Sequence, residues 1–416
     1  MDRLEDVGRR VAIVGAGYAG MACAVTLAAH GVPVTVYESG PVPGGRARRV
    51  VAQGEALDNG QHILSGAYGE LFGLMRRVGV PGDALLRMPL ELRYAGGFAL
   101  RALRLPAPLG LLGGLLAARG VPFGERVGAL RFVRALRRRR FRLEQDCTVD
   151  ELLARHGQEG SIARHLWRPL CVSALNTPPE RAAAGAFLAV LRDTLGGAPG
   201  ASDLLLPRVD LSRLFPEPAA AWLGAHGGEL RLNARVRELD ALRREHAAVV
   251  VAVAPQQLAP LLPGLAPEFA YQPIYTCYLQ YPEQVRLPRP MLGLDAGLVQ
   301  WVFDRGALLG ERGRLACVIS AQGDHQQMPH DELAATCARE LAQALPGLPA
   351  SLSSRVIAEK RATVACTPGR ARPGPETPLP DVLLAGDYTD PEYPPTLEAA
   401  ARSGVRAARL CYARIR

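Results

Sequence analysis

The sequence is poor in aromatic residues, contains one lysine, and has no long apolar run among its 416 residues. Its eight cysteines are scattered and never form a CxxC pair, which disfavours a disulfide framework, a metal site and a dithiol redox centre. The charged first ten residues do not resemble a secretory signal, and no apolar run reaches the roughly 18 residues that a membrane span needs. We therefore expect reduced thiols and a cytoplasmic location.

The net charge is +9, and every basic residue except Lys360 is arginine, which is typical of a genomic composition bias. A basic chain often binds nucleic acid, but the sequence has no recognised nucleic-acid motif and no interleaved basic and aromatic residues. We therefore expect no nucleic-acid partner. The length exceeds that of a usual single domain and predicts two domains.

The segment from Val11 to Arg46 has the pattern of a dinucleotide-binding βαβ unit. An apolar strand from Val11 to Val14 precedes a glycine turn and an alanine-rich helix that extends to about His30. A second strand follows from Val34 to Tyr37. The order of strand, turn, helix and strand is the context that a dinucleotide fingerprint requires.

Three glycines form the GxGxxG turn, and each has a structural reason. Gly15 permits the tight bend, Gly17 lets the backbone approach a diphosphate, and Gly20 packs the helix against the strand. The diphosphate would lie at the helix N-terminus, where free N–H groups and the helix dipole favour an anion. Glu38 ends the second strand, where a carboxylate accepts hydrogen bonds from a ribose 2′-hydroxyl and repels the 2′-phosphate of NADP.

A second glycine pair favours FAD over NAD as the cofactor. Gly44 and Gly45 precede Arg46, so the loop offers close backbone approach and a cation to the diphosphate of an extended cofactor. The alternative is an ordinary surface loop.

Near the end of the sequence, an apolar strand closes with Gly386 and Asp387, and a helix begins after Pro394 and Pro395. An aspartate at this position can accept hydrogen bonds from ribityl hydroxyls. The helix N-terminus, around Thr396, can donate N–H groups to the pyrimidine carbonyl of a flavin.

The fold expected from these patterns is α/β, or α+β overall, with a Rossmann-like FAD-binding domain and an interleaved substrate domain of mixed sheet and helices. Strands around 271–281, 298–303 and 315–320 suit the second domain, and 354–363 is expected as a final linking strand. The expected parts are 1–75, 220–265 and 354–416 for the FAD-binding domain, 76–219 for a helical part that faces substrate and membrane, and 266–353 for the sheet of the substrate domain.

The segment from Pro106 to Arg142 has an unusual composition. Pro106 to Ala118 is apolar, and Arg126 to Arg142 carries eight arginines around an apolar stripe of Val127, Leu130, Phe132, Val133 and Leu136. Such segments can dip into the headgroup region of an anionic membrane. The alternative is a solvated basic helix that covers a core.

Several longer motifs resemble known families. The opening fingerprint with GGRA, the return near Val236 and LLAGDYTDPEYPPTLEAAARSG resemble the flavin-containing amine oxidase and phytoene desaturase superfamily. The motifs LDNGQH, RPLCVSALNTPP, SDLLLPRVDLSRLFPEPA and EKRATVACTPGRARP resemble the squalene-associated FAD-dependent desaturases, whose members are hydroxysqualene dehydroxylases of hopanoid biosynthesis. The resemblance covers nearly the whole chain and implies reduction of hydroxysqualene to squalene, with hydride from reduced FAD.

The resemblance also assigns roles to residues. The glycine turn, Glu38, Gly45 and Arg46 would hold the ADP half of FAD, the backbone of Val236 would meet the adenine, and Gly386, Asp387 and Leu397 would serve the ribityl chain and isoalloxazine. The full set of candidate cofactor-binding residues is Gly15, Ala16, Gly17, Tyr18, Ala19, Gly20, Glu38, Ser39, Gly45, Arg46, Gln61, Val236, Gly386, Asp387, Thr396 and Leu397.

The candidates for the acid that assists departure of the allylic hydroxyl are His62 and Lys360. His62 follows an Asn-Gly turn, which either faces the flavin or is solvated together with Asp58. Lys360 either lies near flavin N5, as lysines of this superfamily do, or merely escaped the arginine bias.

Partners and rival functions follow from the same reasoning. The glycines at 196–200 follow no strand, so no second dinucleotide site is visible and an external electron donor is expected. A polyprenoid substrate partitions into lipid, which predicts peripheral association with the inner face of the plasma membrane. The rival functions are a desaturase or oxidase of another polyprenoid, and a non-catalytic prenyl-binding escort protein.

Overall fold

The computed structural model describes residues 10–416 except 53, 104, 106–108, 197 and 266–267. The first nine residues, on which the expectation about a secretory signal rests, lie outside the described residues. So do residues 106–108 of the apolar segment and residue 197 of the glycine-rich segment.

A five-stranded parallel sheet collects strands from three separate stretches of the chain. Its spatial order is Glu229–Arg231, Val34–Tyr37, Val11–Val14, Ala248–Val251 and Val382–Leu384. The three central strands are apolar and almost fully buried, as expected where both faces of a parallel sheet are covered. The mixed α/β class predicted from the sequence is confirmed.

Alternate residues of these strands enter two different apolar cores. Val11 and Ile13 pack with the helices Tyr18–Ala28 and Leu397–Ile415, whereas Ala12 and Val14 face the opposite core. The two helices approach closely at Gly404, where an added Cβ would lie 2.1 Å from the carbonyl oxygen of Ala19. A buried glycine therefore fixes the last helix against the first.

A second five-stranded sheet is antiparallel. Its order is Met291–Gly293, Trp301–Asp304, Arg314–Ser320, Tyr271–Gln280 and Ser353–Val364. The helix His330–Ala344 packs with one apolar face of this sheet. Ser353–Val364, expected as a linking strand, is instead the edge strand of this sheet.

The edge strand contains an irregularity at a proline. Gln272 pairs with Thr363 and Ile274 pairs with Glu359, so three residues of the edge strand, 360–362, lie opposite Pro273 alone. Proline lacks the N–H that a continuous ladder needs, and bulges are where a sheet accommodates it.

The remaining strands form smaller sheets. Leu64–Ser65, Leu204–Pro207 and Leu85–Met88 make a three-stranded sheet. Two hairpins pair Arg49–Ala52 with Glu55–Asp58, and Glu91–Arg93 with Ala99–Arg101.

Many of the helices not yet mentioned come from the middle of the chain, and most have ten residues or fewer. The α-helices are Glu70–Arg77, Leu109–Leu116, Phe123–Arg138, Val149–Arg155, Gly160–Ile162, Arg168–Leu175, Ala184–Gly196, Leu211–Leu214, Pro216–Ala225, Asp240–Glu245 and Arg305–Leu309. A π-helical turn spans Ala163–Trp167, and 3₁₀ turns span Gly82–Ala84, Pro255–Gln257 and Asp324–Gln327.

The apolar stripe of the basic helix Phe123–Arg138 is largely buried. Phe132, Val133 and Leu136 are at most 2% exposed and belong to the same core as the helix Ala184–Gly196. The expectation that this stripe contacts lipid is therefore wrong, because the stripe packs into the core that also contains the helix Ala184–Gly196.

Candidate active site

A cavity of about 980 Å³ has walls from both large sheets. One part is lined by the glycine turn and the residues that follow the parallel strands, including Glu38, Val236 and Asp387. Another part is lined by side chains of the antiparallel sheet. The parallel strands therefore deliver their carboxyl ends to one crevice, as is general for ligand sites in open α/β sheets.

The glycine turn has the geometry that its sequence predicts. Gly15 has φ +107°, and an added Cβ would lie 2.7 Å from the carbonyl oxygen of Ala252. A Cβ on Gly20 would lie 1.9 Å from the carbonyl oxygen of Gly15. Gly17 is the N-cap of the Tyr18–Ala28 helix, and no side chain of the described residues caps it. This helix N-terminus is therefore available to an anion.

Glu38 lies beside the turn. Its carboxylate accepts hydrogen bonds from the N–H of Ala16 at 2.8 Å and of Gly40 at 2.7 Å, and from the Ser39 hydroxyl at 3.3 Å. Of the other candidate residues near the turn, Tyr18, Ala19 and Ser39 line the cavity. Ala16 and Gly20 are part of the turn and the helix but are not among the lining residues. These contacts fix the acid at the end of its strand.

The second glycine pair lies against the first turn. The N–H of Gly44 donates to the carbonyl oxygen of Ala16 at 2.8 Å. Gly45 has φ +61°, and its added Cβ would lie 3.1 Å from the Cα of Gly17. The two turns therefore form one cradle. A side chain at Gly17 or Gly45 would fill the space between the two turns.

Arg46 and Asp387 meet across the cavity. Their ion pair is 2.7 Å long, and Arg46 also donates to the carbonyl oxygen of Ala362 at 2.7 Å. The pair joins the N-terminal cradle to the strand Val382–Leu384, 341 residues later in the chain. The sequence suggested each residue separately as a cofactor contact but not their mutual contact.

The last helix begins at the cavity. The Thr396 hydroxyl accepts a hydrogen bond from the N–H of Ala399 at 3.1 Å, so Thr396 is the N-cap, and Leu397 begins the helix. Gly386 is packed against the ring of Tyr388, which an added Cβ would approach within 2.3 Å. Gly386, Thr396 and Leu397 all line the cavity.

Tyr388 supplies an independent test of whether a polar ligand fits here. Its hydroxyl is buried and has no hydrogen-bond partner among the described residues, although the side chain lines the cavity. Burial raises the pKa of Tyr388, so the hydroxyl keeps its proton and can donate it in a hydrogen bond. A buried donor without a partner is costly. The cradle and this donor fit a bound dinucleotide.

A buried ion pair lies behind the Asn-Gly turn. Asp58 is 3% exposed and accepts hydrogen bonds from the N–H of Leu211 at 2.8 Å and from Arg305 at 3.2 Å. Arg305 also donates to the Gln61 side chain at 3.2 Å. Burial raises the pKa of Asp58, and Arg305 opposes that rise. Asp58 is therefore a structural residue, and the solvated alternative is wrong.

His62 lines the cavity and is neutral. Burial lowers the pKa of its imidazole. Nδ1 lies 3.3 Å from the carbonyl oxygen of Gly60, which only accepts hydrogen bonds, so we assign the proton to Nδ1. Nε2 then carries a lone pair. In this state His62 accepts a hydrogen bond from a ligand and is a poor proton donor.

Lys360 is exposed and does not belong to the described residues that line the cavity, whereas its neighbour Glu359 does. Lys360 follows the inward-facing Glu359 in the strand, so ordinary alternation places its side chain on the opposite, exposed face. This placement argues against Lys360 as the acid. Glu359 accepts a hydrogen bond from the Asn59 side chain at 3.0 Å, and Asn59 also donates to the carbonyl oxygen of Arg46 at 2.9 Å.

Apolar side chains line the part of the cavity next to the antiparallel sheet. They are Ile63, Ala174, Ile274, Trp301, Phe303 and Val318. The indole N–H of Trp301 donates to the Ser173 hydroxyl at 3.2 Å. Strand alternation could have grouped Trp301 with Phe303 on one face, but the sequence has no signal for which face borders the cavity.

Metal ligation and membrane spans can be addressed for the described part of the chain. Within it, no group of three or more His, Cys, Asp or Glu side chains is arranged to hold a metal ion. Within the same ranges, every helix is too short or too polar to cross a bilayer. All eight cysteines are buried and unpaired.

Comparisons with known proteins agree with this geometry. A family model described as flavin containing amine oxidoreductase matches residues 18–411. The hydroxysqualene dehydroxylase of Sinorhizobium fredii is 31% identical over 97% of this chain and 98% of its own. A probable zeta-carotene desaturase of Synechococcus elongatus is 26% identical over 96% and 98%. A triple mutant of putrescine oxidase shares the fold, with a TM-score of 0.72 at 18% identity over 98% and 99% of the two chains.

Proposed function

Because the chain belongs to the family of flavin containing amine oxidoreductases, we propose that it is an FAD-dependent hydroxysqualene dehydroxylase. The family makes the protein a flavin-dependent oxidoreductase. The finer assignment is supported above all by the similarity to the hydroxysqualene dehydroxylase of Sinorhizobium fredii over nearly the whole of both chains. The continuous cavity fits it, because the polar dinucleotide cradle would hold the cofactor and the adjoining apolar chamber would hold a hydrocarbon substrate.

The cofactor proposed for the cradle is FAD. The diphosphate would lie at the Gly15–Gly20 turn, with a ribose at Glu38 and the adenine near the backbone of Val236. Arg46, Asp387 and Tyr388 would contact the diphosphate and ribityl part, and the N-terminus of the last helix would meet the flavin ring. The second glycine pair supports an extended FAD, because it brings a further stretch of backbone to the first turn.

The proposed reaction converts hydroxysqualene, reduced flavin and a proton into squalene, water and oxidised flavin. The bound reduced flavin supplies the hydride for the new C–H bond, and the broken C–O bond releases the hydroxyl as water. The apolar side chains around Trp301 would exclude bulk water from the allylic carbon. His62 Nε2 would accept a hydrogen bond from the substrate hydroxyl and orient it.

Glu359 replaces Lys360 as our candidate proton donor. It is the carboxyl side chain of the bulged strand that lines the cavity, and Asn59 holds one of its oxygens. A carboxyl group that faces the reacting hydroxyl can transfer a proton to the departing oxygen. The electrons must come from an external reductant, since the sequence contains one dinucleotide fingerprint.

A second candidate function is desaturation of a carotenoid-type polyprenoid. It is favoured by the full-length similarity to the probable zeta-carotene desaturase. The same cavity would serve it with the opposite redox direction, and fold alone does not separate the two reactions. The direction of electron transfer does.

The decisive experiment is an anaerobic single turnover. The purified protein is photoreduced and mixed with hydroxysqualene, while the flavin spectrum is followed and the extracted lipid is analysed. We expect reoxidation of about one flavin per squalene formed, and no reoxidation when squalene replaces hydroxysqualene. If reduced flavin persists and oxidised enzyme is instead bleached by a more saturated polyprenoid, the protein is a desaturase.

A further inference from the structure

Exposed apolar side chains are concentrated in one short part of the described chain. Five large ones lie between residues 103 and 123, and we call them the apolar surface: Leu103 (44% exposed), Leu105 (52%), Leu109 (57%), Leu116 (42%) and Phe123 (69%). Single exposed leucines are ordinary on a protein surface, but a concentration of them marks an interaction site.

Most of the apolar surface is visibly continuous. Leu109, Gly113 and Leu116 share one face of the Leu109–Leu116 helix, because residues four and seven apart lie above one another. The side chain of Leu103 lies over Gly113, where an added Cβ would meet its Cδ1 at 2.6 Å. Leu103, Leu109 and Leu116 therefore form one apolar patch.

The basic helix adjoins this patch. Arg126, near its start, donates hydrogen bonds to the carbonyl oxygens of Leu116 at 3.0 Å and Val121 at 2.9 Å. These bonds hold the first turn of the helix, which begins with Phe123, against the end of the Leu109–Leu116 helix.

The outer face of the basic helix carries unneutralised positive charge. Arg131, Arg134 and Arg138 are exposed, and none pairs with a carboxylate among the residues that the structure describes. Glu125, the only acid of this helix, accepts a hydrogen bond from the N–H of Ile162 at 2.8 Å. Positive charge and exposed apolar area therefore occur side by side, and Phe123, at the start of the basic helix, belongs to the apolar surface.

We propose that the apolar surface inserts into an anionic phospholipid leaflet while Arg131, Arg134 and Arg138 bind its headgroups. This inference rests on the proposed function in one respect: the proposed polyprenoid substrate is dissolved in lipid, which gives the protein a reason to bind a membrane. The charges favour a bilayer over a second copy of the chain, since a symmetric contact between two copies would bring like-charged helices together. It differs from insertion of the basic helix itself, whose stripe is buried.

Flotation of the holoenzyme with vesicles tests this proposal. Vesicles of phosphatidylcholine alone are compared with vesicles that contain 30 mol% phosphatidylglycerol, at low and high salt. We expect strong binding to the anionic vesicles that salt weakens. A triple variant L109Q/L116Q/F123Q should lose most binding, and R131S/R134S/R138S should bind about 100-fold more weakly, from about fivefold per arginine.

The matched control is V51Q/L352Q, which removes two exposed apolar side chains outside the apolar surface, 76% and 68% exposed. It should float like the wild type. Flavin content and thermal midpoint check that every variant is folded. Absence of wild-type flotation, or equal losses in the control and in L109Q/L116Q/F123Q, would overturn the proposal.

Activity on detergent-dispersed hydroxysqualene separates this proposal from the proposed function. The L109Q/L116Q/F123Q variant should keep wild-type turnover in detergent and lose turnover on vesicle-borne substrate. Flotation without any dehydroxylation would contradict the proposed function and leave the membrane surface supported. Dehydroxylation without flotation would contradict the membrane surface and leave the proposed function supported.

Discussion

The arginines at and behind the cavity wall differ in their surroundings from the arginines of the basic helix. Arg46 and Arg305 are held by carboxylates from distant parts of the chain, Asp387 and Asp58. Arg131 and Arg134 face solvent without a described carboxylate partner. Arginine therefore joins distant parts of the chain in one region and presents positive charge to solvent in the other.

The largest expected difference between the two groups concerns stability. Arg305 is 1% exposed and pairs with Asp58 and Glu311. Changing Arg305→Met would leave Asp58 charged and buried, which typically lowers the free energy of unfolding by about 3–5 kcal/mol. Arg138→Met, on the exposed face of the basic helix, should change it by less than about 0.5 kcal/mol.

Urea unfolding followed by tryptophan fluorescence measures both variants. A second change, Asp58→Asn, should restore part of the stability that Arg305→Met removes, because the lone buried charge disappears. Equal stability of the Arg305 and Arg138 variants would show that the buried pair and the exposed arginine do not differ as described.

A neighbouring pair of residues offers the next largest contrast. Glu359 lines the cavity and Lys360 is exposed, although they are adjacent in the sequence. Glu359→Gln should slow reoxidation of the reduced enzyme by hydroxysqualene about 100-fold, which is typical for loss of a general acid. Lys360→Met should stay within about twofold of the wild type. Stopped-flow spectroscopy under anaerobic conditions gives both rates, and a slow Lys360→Met variant with a normal Glu359→Gln variant would reverse our assignment.

A smaller difference is expected when Arg46, at the cavity, and Arg134, on the basic helix, are compared for their effect on FAD affinity. Arg46→Met removes the ion pair with Asp387 and a cation next to the proposed diphosphate site. Loss of a charged hydrogen bond costs about 1.5–3 kcal/mol, so we expect FAD to bind at least tenfold more weakly. Arg134→Met should leave the affinity unchanged. Titration of apoprotein with FAD measures both, and equal affinities would remove Arg46 from the cofactor site.

The same contrast explains what could be predicted from the sequence. The strands Val11–Val14 and Val34–Tyr37, the glycine turn and the last helix follow from local patterns, and each lies where it was expected. The glycines at 15 and 20 are required by contacts within the βαβ unit or with the adjacent strand. These features are visible in a sequence because the whole strand–turn–helix unit repeats a known motif, even where a contact such as that of Gly15 with Ala252 comes from elsewhere in the chain.

The incorrect expectations all involve distant contacts. Asp58 pairs with Arg305, which lies 247 residues later in the chain. Glu359 rather than Lys360 faces the cavity because Glu359 pairs with Ile274 of the strand Tyr271–Gln280. The apolar stripe of the basic helix was correctly predicted as a stripe, but its covering surface comes from later helices. Periodicity identifies an apolar face without identifying what packs on it.

The smallest predicted effect is a pH dependence of stability that comes from His62. Burial lowers the pKa of His62 in the folded protein, so the unfolded chain binds a proton more readily. The stabilisation from keeping His62 neutral is therefore present above about pH 6.5, the ordinary histidine pKa, and is lost as the pH falls toward the lowered folded value. Between pH 7.5 and 5, the wild type should lose more free energy of unfolding than His62→Gln. Urea unfolding across this range measures the difference, and parallel curves for the wild type and His62→Gln would mean that the folded protein does not lower the pKa of the imidazole.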